Sequence, residues 1–158
     1  MFQIKNLSIE KISKDLKKEL EKISSLPLNS PNFFWWVVIN HVNQKTRNQV
    51  GIAGFKVINK SIGYIGPTFV KQSARGHKLQ LRLIKKRLSF AKKLGLRKVI
   101  SRVDYNNHWS ANNLIKAGFL LDKQPIVGKT EEGVEMMSID GKTLISLTYP
   151  ELYFVKNL

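Results

Sequence analysis

The stretch QSARGHKLQLRLIKKRL, Gln72 to Leu88, joins a β-rich segment to an amphipathic helix pattern. Apolar residues recur at helical spacing from His77 to Leu94, and Gly95 is suited to end that helix. Because the first turn of a helix leaves backbone N–H groups unpaired, this junction predicts an anion site suited to a phosphate or pyrophosphate. Gly76 removes the side chain that would obstruct such a ligand. Taken alone, the same residues also fit an ordinary turn before a solvated basic helix.

The residues around this stretch predict a mixed α/β fold. The predicted strands are Phe2–Ile9, Trp35–Asn40, Val50–Ile58, Ile62–Val70, Val99–Val103, Phe119–Leu121, Val134–Ile139 and Lys142–Thr148. The predicted helices are one built on Ile12, Leu16, Leu20 and Ile23, the helix from His77 to Leu94, and Trp109–Ala117. Asp140-Gly141 predicts a hairpin between the last two strands. Without an internal repeat or linker, residues 1–158 are expected to form one domain.

The composition excludes several classes of chemistry. The chain of 158 residues has no cysteine, which rules out disulfides, thiolate zinc sites and cysteine nucleophiles. The three histidines lack metal-ligand spacing, so no metal site is expected. The N-terminus lacks the apolar core of a signal peptide, and the run FFWWVVI is too short to cross a bilayer. We therefore expect a soluble cytoplasmic protein without a membrane partner.

The positive charge is concentrated in the segment that holds the opening stretch. Of the formal net charge of +16, residues 61–120 contribute thirteen Lys/Arg and one acidic residue, a net +12. Such a field attracts nucleotide phosphates, nucleic acid, an acidic macromolecule such as an acidic protein, or anionic lipid, and the charge alone does not choose among them.

Two blocks of sequence resemble the GNAT N-acetyltransferase superfamily. The first is a strand ending at Val70, followed five residues later by RGHKLQ, Arg75 to Gln80, and by a long helix ending KKLGL. The second is the strand VISRVD, then Asn107, Ser110 three residues later, and KAGF at Lys116 to Phe119. In the superfamily the corresponding pattern is a strand, an Arg-Gly-x-Gly-x-Gly/Ala turn, a long helix, a strand, an Asn, and a Gly-Phe further on.

The resemblance covers about Ile52 to Leu121 and implies a fold, a donor and a reaction. The implied fold is a central mixed, largely antiparallel sheet flanked by helices. The implied donor is acetyl-CoA or a related acyl-CoA, whose pantetheine arm pairs with a strand and whose pyrophosphate meets a helix start. The residues implied to contact this cofactor are Phe69, Val70, Arg75, Gly76, His77, Lys78, Leu79, Gln80, Asn107 and Ser110.

Three positions depart from the superfamily pattern. Lys78 stands where a second glycine is usual, and Gln80 stands where glycine or alanine is usual. Leu114 stands seven residues after Asn107, where a tyrosine often protonates the departing thiolate. Either another group supplies that proton, or none is needed from the protein, or the domain does not catalyse.

The implied reaction is direct attack of an amine on the thioester carbonyl. Its barrier falls mainly through positioning and through backbone N–H groups that stabilise the oxyanion, so a catalytic triad is not required. Asp104 is the candidate general base, because it is the lone acid of the basic segment and ends a strand near the predicted thioester. Tyr105 is the candidate substitute acid. Further candidates for the base, each also explained by turn formation or solvation, are His41, His108, Glu131, Glu132 and Glu135.

A second hypothesis makes the chain a GNAT-like scaffold without activity that binds nucleic acid or the ribosome through its basic face. Lys and Arg contacts to phosphate need no glycine, so a bulky residue at Gly76 is expected to damage CoA binding and spare nucleic-acid binding. The enzyme reading is favoured because the block from Asn107 to Phe119 is irrelevant to a basic patch. The acceptor amine stays open, and both a monomer and a homodimer fit the sequence.

Overall fold

A computed structural model describes residues 1–24, 27–43, 47–104, 106–122, 126–129, 135–138, 144–146 and 151–158; residues 126–129, 135–138, 144–146 and 151 are described by their backbone alone. The strands are β1 Phe2–Leu7, β2 Phe33–His41, β3 Arg47–Val57, β4 Ile62–Val70, β5 Lys98–Asp104, β6 Leu120–Leu121, β7 Ile126–Lys129, β8 Glu135–Ser138, β9 Leu144–Ser146 and β10 Glu151–Asn157. The helices are α1 Lys14–Ile23, α2 Leu79–Lys93 and α3 His108–Lys116.

The central sheet has seven strands in the order β1-β2-β3-β4-β5-β10-β6. Every neighbouring pair is antiparallel except β4 and β5, which run parallel because α2 crosses between them. Strands β7, β8 and β9 form a separate three-stranded antiparallel sheet. This is the mixed, largely antiparallel α/β architecture expected from the sequence.

Apolar side chains cover both faces of the central sheet. On one face, α2 and α3 pack on a large cluster that includes Phe55, Leu83 and Phe119, all fully buried or nearly so. On the other face, α1 inserts Leu16 and Leu20 against Trp35. In α1 these leucines recur at the spacing of one helical face, with charged residues between them.

Some predicted elements need correction. The strand predicted as Phe2–Ile9 ends at Leu7, because the chain turns into a short 3₁₀ segment at Ile9–Lys11. The helix predicted from His77 begins at Leu79. Strands β7 and β10 were not predicted, and β10 fills the sheet position between β5 and β6. The last two predicted strands are present in the shorter ranges of β8 and β9, while the predicted Asp140-Gly141 turn lies outside the described residues.

Candidate active site

The central sheet opens between β4 and β5. These strands pair only from Ile62 to Ile65 on β4 and from Lys98 to Ser101 on β5. Beyond that point β4 stays paired with β3 as far as Val70, and β5 stays paired with β10 as far as Asp104. The carboxyl-terminal halves of the two strands therefore separate into a V-shaped opening, and each presents an unpaired backbone edge to it.

The register of β3 and β4 shows which backbone groups face this opening. The N–H of Lys71 donates to Val50 O at 2.8 Å, so that pair is hydrogen-bonded and the pair Val70–Gly51 is not. By the alternation of the ladder, the backbone groups of Thr68 and Val70 face the opening, whereas those of Phe69 face β3. Of the two residues predicted for strand-like pairing with a ligand, Val70 is on the available edge and Phe69 is not. The second residue whose backbone groups face the opening is Thr68, which the sequence pattern did not indicate.

A buried arginine supports the start of this free edge. The register of β3 and β4 shifts between Ala53 and Phe55, which marks a β-bulge that leaves carbonyl groups outside the ladder. Fully buried Arg87 of α2 donates through Nη1 to Gly54 O at 2.9 Å and to Gly66 O at 3.4 Å, and through Nε to Leu83 O at 3.1 Å. Burial lowers the pKa of the Arg87 guanidinium to about 9, an effect that its electrostatic interaction with Tyr64 opposes.

The loop before α2 presents a continuous run of unpaired backbone donors. The first helical hydrogen bond runs from Arg82 N–H to Lys78 O. Among the described residues, none accepts a hydrogen bond from the backbone N–H groups of Gly76 through Leu81. The N–H of Arg75 already donates to Gln72 O at 3.1 Å, and its side-chain Nε donates to Val70 O at 3.3 Å. The free donors thus begin one residue later than predicted and lie at the positive end of the helix dipole.

Two residues of this loop have left-handed backbone conformations. Gly76 has φ +86°, and a Cβ added there would have no heavy atom within 4 Å, so the space beside it is open. Lys78, at the position where the superfamily usually has glycine, has φ 56° and ψ 25°. A lysine in this region is strained by about 1 kcal/mol relative to glycine. The loop therefore keeps the shape of a glycine turn although a lysine occupies it.

Gln80 joins the start of α2 to α3. Its side-chain Nε2 donates to Ser110 Oγ at 2.8 Å, and its Oε1 accepts from Asn113 Nδ2 at 2.9 Å. Asn107 caps α3, since its side-chain oxygen accepts from the N–H of Ser110 at 3.1 Å. The predicted residues Gln80, Asn107 and Ser110 are thus brought together at one junction: the Gln80 side chain bonds to the Ser110 hydroxyl, and the Asn107 side chain bonds to the Ser110 backbone. Asn113 completes the junction and was not predicted.

The candidate acid–base residues lie in less specialised surroundings. Asp104 is exposed at the end of β5, and its Oδ1 accepts from the N–H of Asn106 at 2.9 Å. Tyr105 lies outside the described residues. Leu114 is buried on α3 with 3% of its surface exposed, so the position of the usual tyrosine is filled by core packing.

The remaining candidates for the base are scattered. His41 ends β2 and pairs through Nε2 with Gln3 Oε1 at 3.1 Å, while His108 is exposed at the first turn of α3. Glu131 and Glu132, and the side chain of Glu135, lie outside the described residues. Within the described part of the chain, no group of His, Asp or Glu side chains is arranged to hold a metal ion, and no helix has the length and apolar character needed to cross a membrane.

Comparison with known proteins connects this geometry to one family. The family model described as "Acetyltransferase (GNAT) family" matches residues 6–119. No curated protein sequence matches the chain. An IAA acetyltransferase from Bacillus cereus has a similar fold, with a TM-score of 0.70, 14% identity and 100% coverage of both chains.

Two further solved structures share the fold. A GNAT family acetyltransferase from Elizabethkingia anophelis, with acetyl-CoA bound, gives a TM-score of 0.63 at 13% identity, covering 99% of this chain and 98% of its own. A GNAT family acetyltransferase from Streptococcus pneumoniae gives 0.63 at 14% identity, covering 100% of both chains. At these identities the structural likeness reports the fold, whereas the family match spans most of the sequence. The chain therefore belongs to the GNAT acetyltransferase family.

Proposed function

We propose that this protein is an acetyl-CoA-dependent N-acetyltransferase that transfers an acetyl group to an amine by direct attack on the thioester. The observation that carries the proposal is the run of unpaired N–H groups from Gly76 to Leu81 beside the free edge of β4. A pyrophosphate needs such donors at a helix start, and an amide-bearing arm needs an unpaired strand edge. Both needs are met on adjoining elements of one strand–loop–helix unit.

The residues fit the donor in three places. The open space at Gly76 accommodates a phosphate where a Cβ would project, and the N–H groups that follow it donate to the phosphate oxygens. The backbone of Thr68 and Val70 offers hydrogen bonds to the amide groups of the pantetheine arm. The acetyl thioester would then lie in the V-shaped opening, where backbone N–H groups of the β4 edge stabilise the oxyanion.

The chemistry requires one bond to form and one to break. The neutral amine nitrogen forms the C–N bond to the acetyl carbonyl carbon, the C–S bond breaks with its electron pair going to sulfur, and the attacking nitrogen loses a proton. Asp104 is the proposed acceptor of that proton, directly or through water. It is the last residue of β5, at the opening, and the Asn106 N–H occupies only one of its two carboxylate oxygens, Oδ1. Leu114 offers no proton to the thiolate, so protonation is proposed to come from Tyr105 or from solvent.

Titration calorimetry with acetyl-CoA tests the proposal through two matched glycine variants. Gly76 and Gly95 have φ of +86° and +72°, both have open space at the Cβ position, and they flank α2 at its two ends. Gly76→Ala and Gly95→Ala therefore impose a similar backbone strain of about 1 kcal/mol. We expect Gly76→Ala to weaken acetyl-CoA binding at least tenfold and Gly95→Ala to leave it within about twofold. Equal effects of the two variants, or no binding by the unmodified protein, would contradict the proposal.

A further inference from the structure

A basic groove lies between the exposed face of α2 and the end of the sheet formed by β1 and β2. Its volume is about 1080 Å³. Its walls include Arg82, Lys85 and Lys86 from α2, Arg47 from the start of β3, and Phe2 and His41 from the opposite wall. The Arg82 guanidinium donates through Nη2 to Phe2 O at 3.1 Å, which connects the two walls.

Among the described residues, the four cations of the basic groove have no carboxylate partner. The lining that the structure describes includes no acidic residue. In the described part of the chain, the ion pairs join Lys22 to Glu19 and Lys71 to Asp15, both on other surfaces. The side chains of Arg47, Arg82, Lys85 and Lys86 are all exposed. Within the described residues the groove is therefore a concentrated positive site that no acidic side chain neutralises.

The groove runs along one side of α2, whereas the proposed cofactor loop lies at the N-terminal end of that helix, where His77 packs on Phe2 of the groove wall. The groove residues Arg82, Lys85, Lys86 and Ser89 recur at three- and four-residue spacing and form one exposed stripe of the helix. The buried residues of α2 face the sheet, and Gln80 faces α3. The free N–H groups stop at Leu81, before the groove residues begin. We therefore expect that a ligand in the groove does not displace one held by the loop.

We propose that the basic groove binds the sugar–phosphate backbone of a single-stranded nucleic acid. With a helical rise of 1.5 Å per residue, the stripe from Arg82 to Ser89 extends about 10 Å and presents three cations along the groove to the phosphates of one strand. A bilayer surface is flat and cannot contact the floor of a concave groove, which disfavours anionic lipid. An acidic peptide offers negative charge of a similar kind, so poly-glutamate is included as a competitor in the test.

Recognition in the groove is independent of base sequence. The Phe2 ring packs on His77 with the ring centroids 4.8 Å apart, so His77 already contacts it. The described lining has no row of aromatic side chains on which successive bases could stack. Affinity then comes from phosphate contacts and falls steeply with salt. With four cations engaged on a single strand, the slope of log K against log salt is about −2.8.

Fluorescence anisotropy with a labelled oligouridylate, over about 50 to 200 mM salt, tests the proposal. The test variant is Lys85→Ala/Lys86→Ala, and the control is Lys92→Ala/Lys93→Ala, which removes the same charge from the same helix outside the groove. We expect the test variant to bind about tenfold more weakly, and its slope of log K against log salt to be shallower by about 1.4. In the control, both changes should be less than half as large. Acetyl-CoA affinity should be unchanged in both variants.

Several outcomes would overturn this proposal. Equal losses in the two double variants would show diffuse attraction to the whole protein. Failure of the oligonucleotide to bind, or binding of only anionic phosphatidylserine vesicles or poly-glutamate, would assign the groove to another partner or to none. Displacement of the oligonucleotide by saturating acetyl-CoA, with Lys85→Ala/Lys86→Ala weakening acetyl-CoA itself, would assign the groove to the cofactor. The Gly76→Ala result is independent of all of these, so failure of one proposal is distinguishable from failure of the other.

Discussion

The side-chain amide of Gln80 donates to Ser110 Oγ at 2.8 Å and so links the first turn of α2 to the first turn of α3. The other end of the same amide accepts from Asn113 at 2.9 Å. Both bonds are partly buried, and both depend on a side chain at a position where the superfamily usually has glycine or alanine. The two helices that border the proposed cofactor site are thereby held in one arrangement before any ligand binds.

Removing this link should reduce stability in a coupled way. We expect Ser110→Ala to lower the free energy of unfolding by about 1 kcal/mol and Gln80→Ala by about 2 kcal/mol, because Ser110 loses one partly buried hydrogen bond and Gln80 loses two. The double variant should lose less than the sum, by about 0.5 to 1 kcal/mol, because the two side chains share one bond. Urea denaturation of the four proteins measures this coupling, and additive losses would show that the bond contributes nothing.

Lys78 should be less favourable than glycine in the unliganded protein. Its φ of 56° suits glycine, so Lys78→Gly relieves strain that Lys78→Ala retains. We expect the free energy of unfolding of the glycine variant to exceed that of the alanine variant by about 0.5 to 1 kcal/mol. This difference already includes the greater flexibility of glycine in the unfolded chain. Thermal unfolding of the two variants provides the comparison. A more stable alanine variant would mean that the loop does not hold this conformation in solution.

Arg87 should stabilise the free edge of β4 in addition to the core in which it is buried. Arg87→Met leaves Gly54 O and Gly66 O without a donor, while it also removes a buried charge that is itself costly. We expect a net loss of about 2 kcal/mol in unfolding free energy, with Arg87→Lys losing less because an ammonium can still reach a carbonyl.

The effect of Arg87 on ligand binding needs a control of similar destabilisation. Leu88→Ala removes a buried neighbour on the same helix and is expected to cost about 2 to 3 kcal/mol without touching the bulge. Acetyl-CoA affinity should fall at least fivefold further in Arg87→Met than in Leu88→Ala. If the two variants bind acetyl-CoA equally well, Arg87 serves the core and not the edge.

The ion pair between Asp15 and Lys71 predicts an acid-sensitive contact between α1 and the end of β4. The hydrogen bond from Lys71 lowers the pKa of the Asp15 carboxyl from 3.8 to about 2. Because the folded pKa is the lower one, the contribution is present above pH 4 and is lost as the pH falls through 2. The Asp15 side chain is 56% exposed, so the contribution is at most about 1 kcal/mol.

Urea denaturation of the unmodified protein and of Asp15→Asn between pH 6 and pH 2 measures this contribution. The difference between them should shrink as the pH falls and should also shrink at high salt. Lys71→Met should remove the same pH dependence. A difference that is independent of pH would exclude the ion pair as its source.

The sequence predicted those elements whose signal is local. Leucine spacing indicated α1 and α2, glycines at positions 95 and 118 marked helix ends with φ of +72° and +87°, and the spacing from Asn107 to Phe119 indicated α3 and the turn after it. Each of these features depends on residues within a few turns of one another. The fold class followed from their order along the chain.

The missed features depend on contacts between distant residues. Strand β10 pairs along β5, with Glu151 opposite Asp104, and its short ELYFVKN sequence has no turn signal that identifies its partner. The contact of Arg87 with Gly54 and that of Gln80 with Ser110 join residues about 30 positions apart. The backbone direction at each residue of β4 depends on its register with β3 and on the bulge, so the sequence could not show that the backbone groups of Val70 face the opening and those of Phe69 face β3.

Backbone amide NMR of the protein titrated with acetyl-CoA locates the bound ligand residue by residue. We expect the largest shift changes at the N–H groups of Gly76 through Leu81 and at Thr68 and Val70, with little change at Gly95. Changes confined to the basic groove, from Arg82 to Ser89, or the absence of any change at saturating acetyl-CoA, would contradict this expectation.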